Sequence, residues 1–88
     1  MKIKKGFVLR PTLGYTVAVA TGELARSFSG MIKLSETSAD IWRWIDEGLS
    51  REEIIAQYMK TYNVSEDVAA HDFDVMATNM KNAGIFEE

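Results

Sequence analysis

The chain has a single histidine, His71, and the first question is whether it could act in catalysis or bind a metal. Asp74 follows it at i, i+3, a spacing that brings two side chains onto one side of a helix. A catalytic zinc site typically uses three protein ligands, and the sequence offers neither a cysteine nor a second histidine. His71 also lies off the apolar stripe of its predicted helix. We therefore interpret it as a solvated surface residue.

Acidic residues occur in pairs, an arrangement that general acid–base catalysis can use. The pairs are Glu52-Glu53, Glu66-Asp67, Asp72/Asp74 and Glu87-Glu88. The pairs in the first turn of a predicted helix are explained by the attraction between carboxylates and the positive end of the helix dipole. None of the pairs has apolar neighbours that would indicate a buried acid with a raised pKa. The sequence has no nucleophile elbow and no glycine-rich phosphate loop. It therefore predicts no catalytic residue, no metal site and no cofactor.

Length and charge restrict the class of protein further. The 88 residues, with a net charge of −3 and no cysteine, predict one domain spanning 1–88 without disulfides. The negative charge weighs against nucleic acid as a partner. The lysine-rich start is not followed by the apolar run of a signal peptide, and no stretch approaches the length of a membrane span. We expect a cytoplasmic protein with no membrane partner.

Alternation of apolar and polar residues in the first third of the chain predicts three strands. These are Phe7–Arg10, Tyr15–Ala20 and Met31–Leu34. In the third strand, Ile32 and Leu34 are predicted to face the core. The segment 24–30 is predicted to be a loop held in place by Phe28. A three-stranded antiparallel sheet is too small to be stable alone, so helices must cover one of its faces.

After the third strand the apolar spacing changes to three and four, which predicts a helix. Ser35 is placed to cap this helix, which should end near Asp46 or Glu47. Its predicted core stripe consists of Ser38, Ile41, Trp42 and Ile45. Trp44 points away from that stripe, and three interpretations stay open: partial cover by the sheet, packing against Leu49 or the next helix, or exposure at an interface.

Two more helices follow. Ser50 and Glu53 form the capping box of the second, which should end at Asn63. Ser65 caps the third, which should end at Gly84. The residues predicted to join the core from this half are Ile54, Ile55, Tyr58, Met59, Tyr62, Ala69, Phe73, Met76, Met80, Ile85 and Phe86. An N-terminal three-stranded antiparallel sheet followed by three helices predicts an α+β, winged helix-turn-helix-like fold.

The chain carries a series of motifs in a characteristic order: the block from Leu34 to Trp42, then Glu53-Ile54, Tyr62, Asp72-Phe73, Met76, Met80 and Gly84-Ile85. In order and spacing these motifs resemble the PqqD family, small peptide chaperones also called RiPP recognition elements. Ser35 stands where the family commonly has Asn. Met76 and Met80 replace more usual aromatic or leucine residues.

The resemblance implies a non-catalytic protein that binds the leader of a ribosomally synthesised precursor peptide. It implies presentation of that peptide to a modifying enzyme, often a radical SAM enzyme with iron–sulfur clusters, as in coenzyme PQQ biosynthesis. It also implies that the peptide joins the sheet as a strand beside the third strand and packs on the third helix. An unpaired strand edge can accept an extended peptide in this way.

On that basis, eight residues are predicted to bind the peptide. They are Met31, Ile32, Lys33 and Leu34 on the third strand, and Val68, Asp72, Val75 and Asn79 on the third helix. The valines would bury apolar side chains of the peptide, whereas Asp72 and Asn79 would hold a basic or polar one. The sequence does not decide which flank of the helix faces the strand. The opposite flank, Ala70, Asp74 and Lys81, is the alternative.

Two other functions stay open at this point: a winged-helix DNA-binding regulator and a generic protein-interaction module. A recognition helix needs Arg or Lys to reach phosphates and base edges. The third helix instead carries Glu66, Asp67, Asp72 and Asp74 against Lys81. This charge disfavours nucleic acid. An open strand edge also allows homodimers to form edge to edge.

Overall fold

The computed structural model describes residues 1–87. Its elements, in chain order, are β1 (Phe7–Pro11), β2 (Thr16–Ala20), α1 (Leu24–Ser27), β3 (Met31–Leu34), α2 (Glu36–Asp46), α3 (Arg51–Tyr62) and α4 (Glu66–Asn82). The α+β class and the N-terminal three-stranded antiparallel sheet are confirmed. Glu88, half of one acidic pair in the sequence, lies outside the described residues.

The sheet has the order β1-β2-β3, with both neighbouring pairs antiparallel. The four residues 12–15 join β1 to β2, and Gly14 among them has φ +87°, a value that favours glycine. On β2 the side chains that face the helices are the small ones, Thr16 and Ala18, which are buried. On β3, Ile32 and Leu34 face the same side while Met31 and Lys33 are exposed, as predicted. The helices therefore pack against a shallow sheet surface.

The segment Leu24–Ser27 differs from the predicted loop because it forms one helical turn. The Phe28 N–H donates to the Leu24 carbonyl at 2.9 Å, and Arg26 N–H donates to the Glu23 carbonyl at 3.1 Å. Leu24 and Phe28 are spaced i, i+4, so one turn of helix places both on the side that packs towards the core. Phe28 meets Phe7 edge to face with ring centroids 5.0 Å apart. Apolar anchoring at both ends outweighs the loop preference of the intervening serine.

The three longer helices begin and end at the predicted signals. The hydroxyls of Ser35, Ser50 and Ser65 each accept a backbone N–H of the first turn, and the Ser50–Glu53 capping box is complete. Asn63 takes the left-handed conformation after α3 with φ +54°. Local signals of this kind fix the helix boundaries because they act within one turn.

The core lies between the sheet and the three longer helices. Its buried apolar side chains are Ile3, Ala18, Leu34, Ala39, Ile41, Trp42, Ile45, Ile54, Ile55, Tyr58, Ala69, Phe73, Met76, Met80 and Ile85. Trp42 is confirmed as a core residue with 3% exposure. Trp44 is half-buried and meets Tyr58 of α3 edge to face, with ring centroids 6.5 Å apart. The interpretation of Trp44 as packed against the neighbouring helix is therefore the correct one.

Ile3 is a core residue that the sequence analysis did not identify. The segment around it pairs with the end of the chain: Lys4 N–H donates to the Ile85 carbonyl at 2.9 Å, and Glu87 N–H donates to the Lys2 carbonyl at 2.8 Å. Ile3 and Phe86 form an antiparallel bridge. The lysines beside Ile3 alternate with it, which is the strand signal. This strand signal is easily missed, because the same lysines resemble the charged start of a signal peptide.

Candidate functional site

The outer side of β3 is a free strand edge in the part of the chain that the structure describes, because β3 pairs with β2 alone. The orientation of its peptide groups follows from the register. Thr12 N–H donates to the Tyr15 carbonyl at 2.8 Å, and Thr21 N–H donates to the Gly6 carbonyl at 2.8 Å. These bonds show that, in and beside β2, residues 15, 17, 19 and 21 are those whose peptide groups point to β1. Residues 16 and 18 consequently point to β3.

The pairs across β2 and β3 are Thr16 with Leu34 and Ala18 with Ile32. The N–H and C=O groups of Ile32 and Leu34 are therefore used inside the sheet. Those of Met31 and Lys33 point outward, because successive residues of a strand direct their peptide groups to opposite sides. This edge therefore offers a pair of donors and a pair of acceptors to an incoming strand.

An apolar groove runs between β3 and the C-terminal half of α4. Its volume is about 170 Å³, and its lining residues are Ile32, Lys33, Leu34, Ser38, Trp42, Met76, Asn79, Met80, Ala83 and Ile85. The thioethers of Met76 and Met80 form its wall on α4, and flexible methionines adapt to differently shaped apolar groups. The groove directly adjoins the free edge, so a strand added to β3 would place alternate side chains over it.

A second depression, the polar compartment, continues the apolar groove towards the middle of α4. Its volume is about 260 Å³, and it is lined by Thr37, Ser38, Ile41, His71, Asp72, Val75, Met76 and Asn79. Ser38, Met76 and Asn79 line both depressions. The two together form one continuous channel along α4, apolar at one end and polar at the other.

Asp72 is held in place by the neighbouring helix. The Tyr58 hydroxyl on α3 donates to Asp72 Oδ2 at 2.7 Å. Burial, and then the hydrogen bond to the Asp72 carboxylate, raise the pKa of Tyr58 above its ordinary value. The phenol stays protonated as the donor, and its hydrogen bond orients the Asp72 carboxylate. A comparable bond joins the Tyr62 hydroxyl to Asp40 of α2.

The structure brings together most of the eight residues predicted to bind a peptide. Ile32, Lys33, Leu34 and Asn79 line the apolar groove, and Asp72, Val75 and Asn79 line the polar compartment. Two lie outside these linings. Met31 is on the free edge with its side chain 71% exposed, and Val68 lies further towards the start of α4. Their role in binding a peptide stays a prediction.

The opposite flank of α4 has other contacts. Arg51 of α3 donates two hydrogen bonds to Asp74, at 3.0 and 2.9 Å, and the hydrogen bond from its guanidinium lowers the pKa of that carboxyl. Ala70 is half-buried against the core. Of the two flanks, the one with Asp72, Val75 and Asn79 is therefore the one that lines the channel.

Several lining residues were not identified as site residues from the sequence. They are Thr37, Ser38, Ile41, Trp42, His71, Met76, Met80, Ala83 and Ile85. Trp42, Met76 and Met80 were assigned to the core alone, and the structure shows that a buried side chain also forms the floor of the groove. Ser38 and Ile41 were likewise assigned to the core stripe of α2, and Thr37 carried no signal. Their place beside the polar compartment depends on how α2 crosses α4.

Three other depressions are larger. One of about 350 Å³ lies between the β1–β2 turn and the start of α2, and one of about 580 Å³ lies under the N-terminal segment. The third, of about 390 Å³, lies on α4 and is lined by His71, Asp74, Val75, Thr78 and Asn79. None of the three is lined by a residue of β3. In residues 1–87 no group of three His, Cys, Asp or Glu side chains is placed to hold a metal ion. Within the same residues, no helix combines the length and the apolarity needed to cross a bilayer.

The charge of α4 bears on the DNA-binding alternative. Its 17 residues include Glu66, Asp67, Asp72 and Asp74, and its last turn contains Lys81. We expect no detectable binding to random duplex DNA at physiological salt, because this surface repels phosphates. Fluorescence anisotropy with a labelled duplex measures it. Micromolar affinity that falls steeply with added salt would contradict the charge argument.

Comparison with known families places the sheet and helices in context. Residues 16–85 match the family model described as Coenzyme PQQ synthesis protein D (PqqD). The chain belongs to the PqqD family. The matched range includes β2, β3 and all three longer helices, so both walls of the apolar groove lie within the PqqD region. The resemblance inferred from the sequence is thereby confirmed.

Among solved structures, this PqqD-family chain is similar to TbiB1, determined in complex with the TbiA(beta) leader peptide. The TM-score is 0.78 at 21% sequence identity, with 99% of this chain and 95% of TbiB1 covered. At this identity the likeness establishes a shared fold. A comparison with curated proteins gave no match.

Proposed function

We propose that this protein binds the leader segment of a ribosomally synthesised precursor peptide and presents the peptide to a modifying enzyme. The observation that carries the proposal is the free edge of β3 beside an apolar groove. Membership of the PqqD family supports it, as does the fold shared with TbiB1, a protein that was solved with a leader peptide bound.

In the proposed complex the leader forms a fourth strand next to β3. The outward N–H and C=O groups of Met31 and Lys33 pair with its backbone, which supplies affinity that depends little on sequence. Every second side chain of the leader faces α4. Those side chains enter the apolar groove and the polar compartment, which supply specificity. Because each bound strand also leaves one new free edge, the leader remains accessible to an enzyme.

The proposed role is non-catalytic and needs no cofactor in this chain. The side chains along the channel are apolar or hydrogen-bonding groups suited to holding a peptide. The modification itself belongs to a separate enzyme, for which a radical SAM enzyme is our expectation from the family. A homodimer formed through β3 would occupy the same edge, so we propose that leader binding and edge-to-edge pairing exclude each other.

Val75 on α4 provides a test with a matched control. Val75→Asp is expected to weaken leader binding by more than about 1.4 kcal/mol, roughly tenfold, because it places an unpaired charge against apolar groups of the peptide. Val68→Asp makes the same change at a site of nearly equal exposure, 45% against 46%. Val68 is about 10 Å away along the helix and outside both linings, so we expect a smaller effect there.

The measurement is calorimetric titration of the cognate leader peptide, once it is identified, against each variant. Circular dichroism of each variant establishes that the fold is intact. Unchanged affinity in a folded Val75→Asp variant would contradict the proposed groove.

A further inference from the structure

The polar compartment contains one carboxylate, that of Asp72. Its other lining side chains are hydroxyls, an amide, the imidazole of His71 and apolar groups. Asp72 is half-buried, and the Tyr58 hydroxyl occupies Oδ2. Among the described residues, no hydrogen bond or ion pair engages Oδ1. A half-buried carboxylate with one oxygen engaged and the other without a protein partner favours a positively charged ligand group.

From this arrangement we propose that Asp72 is a specificity residue that pairs with a Lys or Arg side chain of the bound peptide. The inference rests on the proposed function, and it adds the chemistry that the peptide must carry. The bound peptide must therefore carry two kinds of side chain: an apolar one for the groove beside Met76 and Met80, and a basic one for Asp72.

The positions of the two depressions set the spacing of these side chains. The apolar groove is centred near residue 80 of α4, seven to eight residues beyond Asp72, or about 11 Å along the helix axis. In an extended peptide, two residues that face the same side are separated by two positions, or about 6.8 Å, or by four positions, or about twice that distance. A long basic side chain can make up the difference from about 11 Å, so the basic residue lies two or four positions from the apolar one.

The direction of the channel sets the order. Along the chain, lining residues pass from Ile32–Leu34 at the apolar groove to Thr37–Ile41 at the polar compartment. Both existing strand pairs of the sheet are antiparallel, so we take the added strand to pair antiparallel with β3 and therefore to run the opposite way. Its basic residue therefore precedes its apolar residue.

A purely structural role for Asp72, as the acceptor for Tyr58, makes a different prediction. Asp72→Asn keeps an oxygen that can accept the Tyr58 hydroxyl bond but removes the charge. If Asp72 serves only to anchor Tyr58, the Asn variant binds the same peptides as the original protein. If Asp72 binds a basic side chain of the peptide, the Asn variant loses only the preference for peptides with that side chain.

The test is a selection from a display library of random twelve-residue peptides, performed on the full chain, on Asp72→Asn and on Lys33→Pro. We expect peptides selected on the original protein to be enriched in Lys or Arg two or four positions before an apolar residue. Selection on Asp72→Asn should retain the apolar residue and lose the basic one. For one selected peptide, Asp72→Asn and replacement of the basic residue by norleucine should each weaken Kd about tenfold. Combining them should cost little more, since both remove one interaction.

The outcomes separate this inference from the proposed function. Two outcomes overturn the inference alone, provided that the selected peptides need the Lys33 N–H. In the first, the peptides show no preference for a basic residue. In the second, selection on Asp72→Asn gives the same basic preference as the original protein. Selected peptides that bind a folded Lys33→Pro variant as tightly as the original protein contradict strand addition, and the inference falls with it. A selection that enriches no peptide counts against both.

Discussion

Replacing Trp42 with alanine is expected to lower the free energy of unfolding by about 3–5 kcal/mol. The indole is almost fully buried and meets Phe7 of β1 edge to face with centroids 5.4 Å apart. It therefore joins the sheet to α2 and also forms the floor of the apolar groove. The loss is a large share of the stability of a domain of this size. Urea denaturation followed by far-ultraviolet circular dichroism measures it.

Trp44→Ala is the matched control, since it removes the same side chain from the same helix. Trp44 is half-buried, with Tyr58 as its aromatic neighbour, so we expect a distinctly smaller loss of stability. An equal or smaller effect of Trp42→Ala would show that the sheet does not depend on Trp42 for its attachment to the helices.

The second large effect is on binding. Lys33→Pro is expected to weaken leader binding by about 2 kcal/mol or more, roughly thirtyfold. It removes an outward N–H, leaves a leader carbonyl without its donor and places the ring against the added strand. Because Lys33 does not donate to β2, the three-stranded sheet should persist, as proline is tolerated on edge strands. Calorimetric titration of the leader measures the change.

Two further variants isolate the backbone from the side chain. Lys33→Ala removes the ammonium group, which lies 4.5 Å from the centroid of the Tyr15 ring, but keeps the N–H, so binding should change little. Ile32→Pro removes an N–H that faces β2, so it should destabilise the fold itself. Equal loss of affinity in Lys33→Ala and Lys33→Pro would mean that the side chain, and not the strand edge, contacts the leader.

Much of the fold could be predicted because its signals are local. The caps at Ser35, Ser50 and Ser65 act within one turn, and the stripe that contains Trp42 repeats at helical spacing. The inward positions of Ile32 and Leu34 follow from strand alternation in the same way. Each of these required no knowledge of a distant partner.

What could not be predicted depends on contacts between distant segments. The helical turn Leu24–Ser27 forms because Phe28 packs on Phe7, and Ile3 is buried because the chain end pairs with it. The local serine favours a loop, and the alternation of lysines with Ile3 indicates a strand without indicating the segment that pairs with it.

The same limit applies to the candidate site. The spacing of Asp72, Val75 and Asn79 placed them on one flank of α4, but the choice between the two flanks required the crossing of α2, α4 and β3. The bond from Tyr58 that fixes Asp72 spans 14 residues and two helices. No pattern within one helix encodes it.

The claim that a leader adds to the edge of β3 is tested most directly by amide hydrogen exchange, measured residue by residue with and without saturating leader. Exchange reports whether an N–H is hydrogen-bonded. The register predicts an alternating response: the amides of Met31 and Lys33 slow markedly when the leader binds, whereas those of Ile32 and Leu34, already bonded to β2, change little. Fast, unchanged exchange at Met31 and Lys33 in the saturated complex would contradict strand addition at this edge.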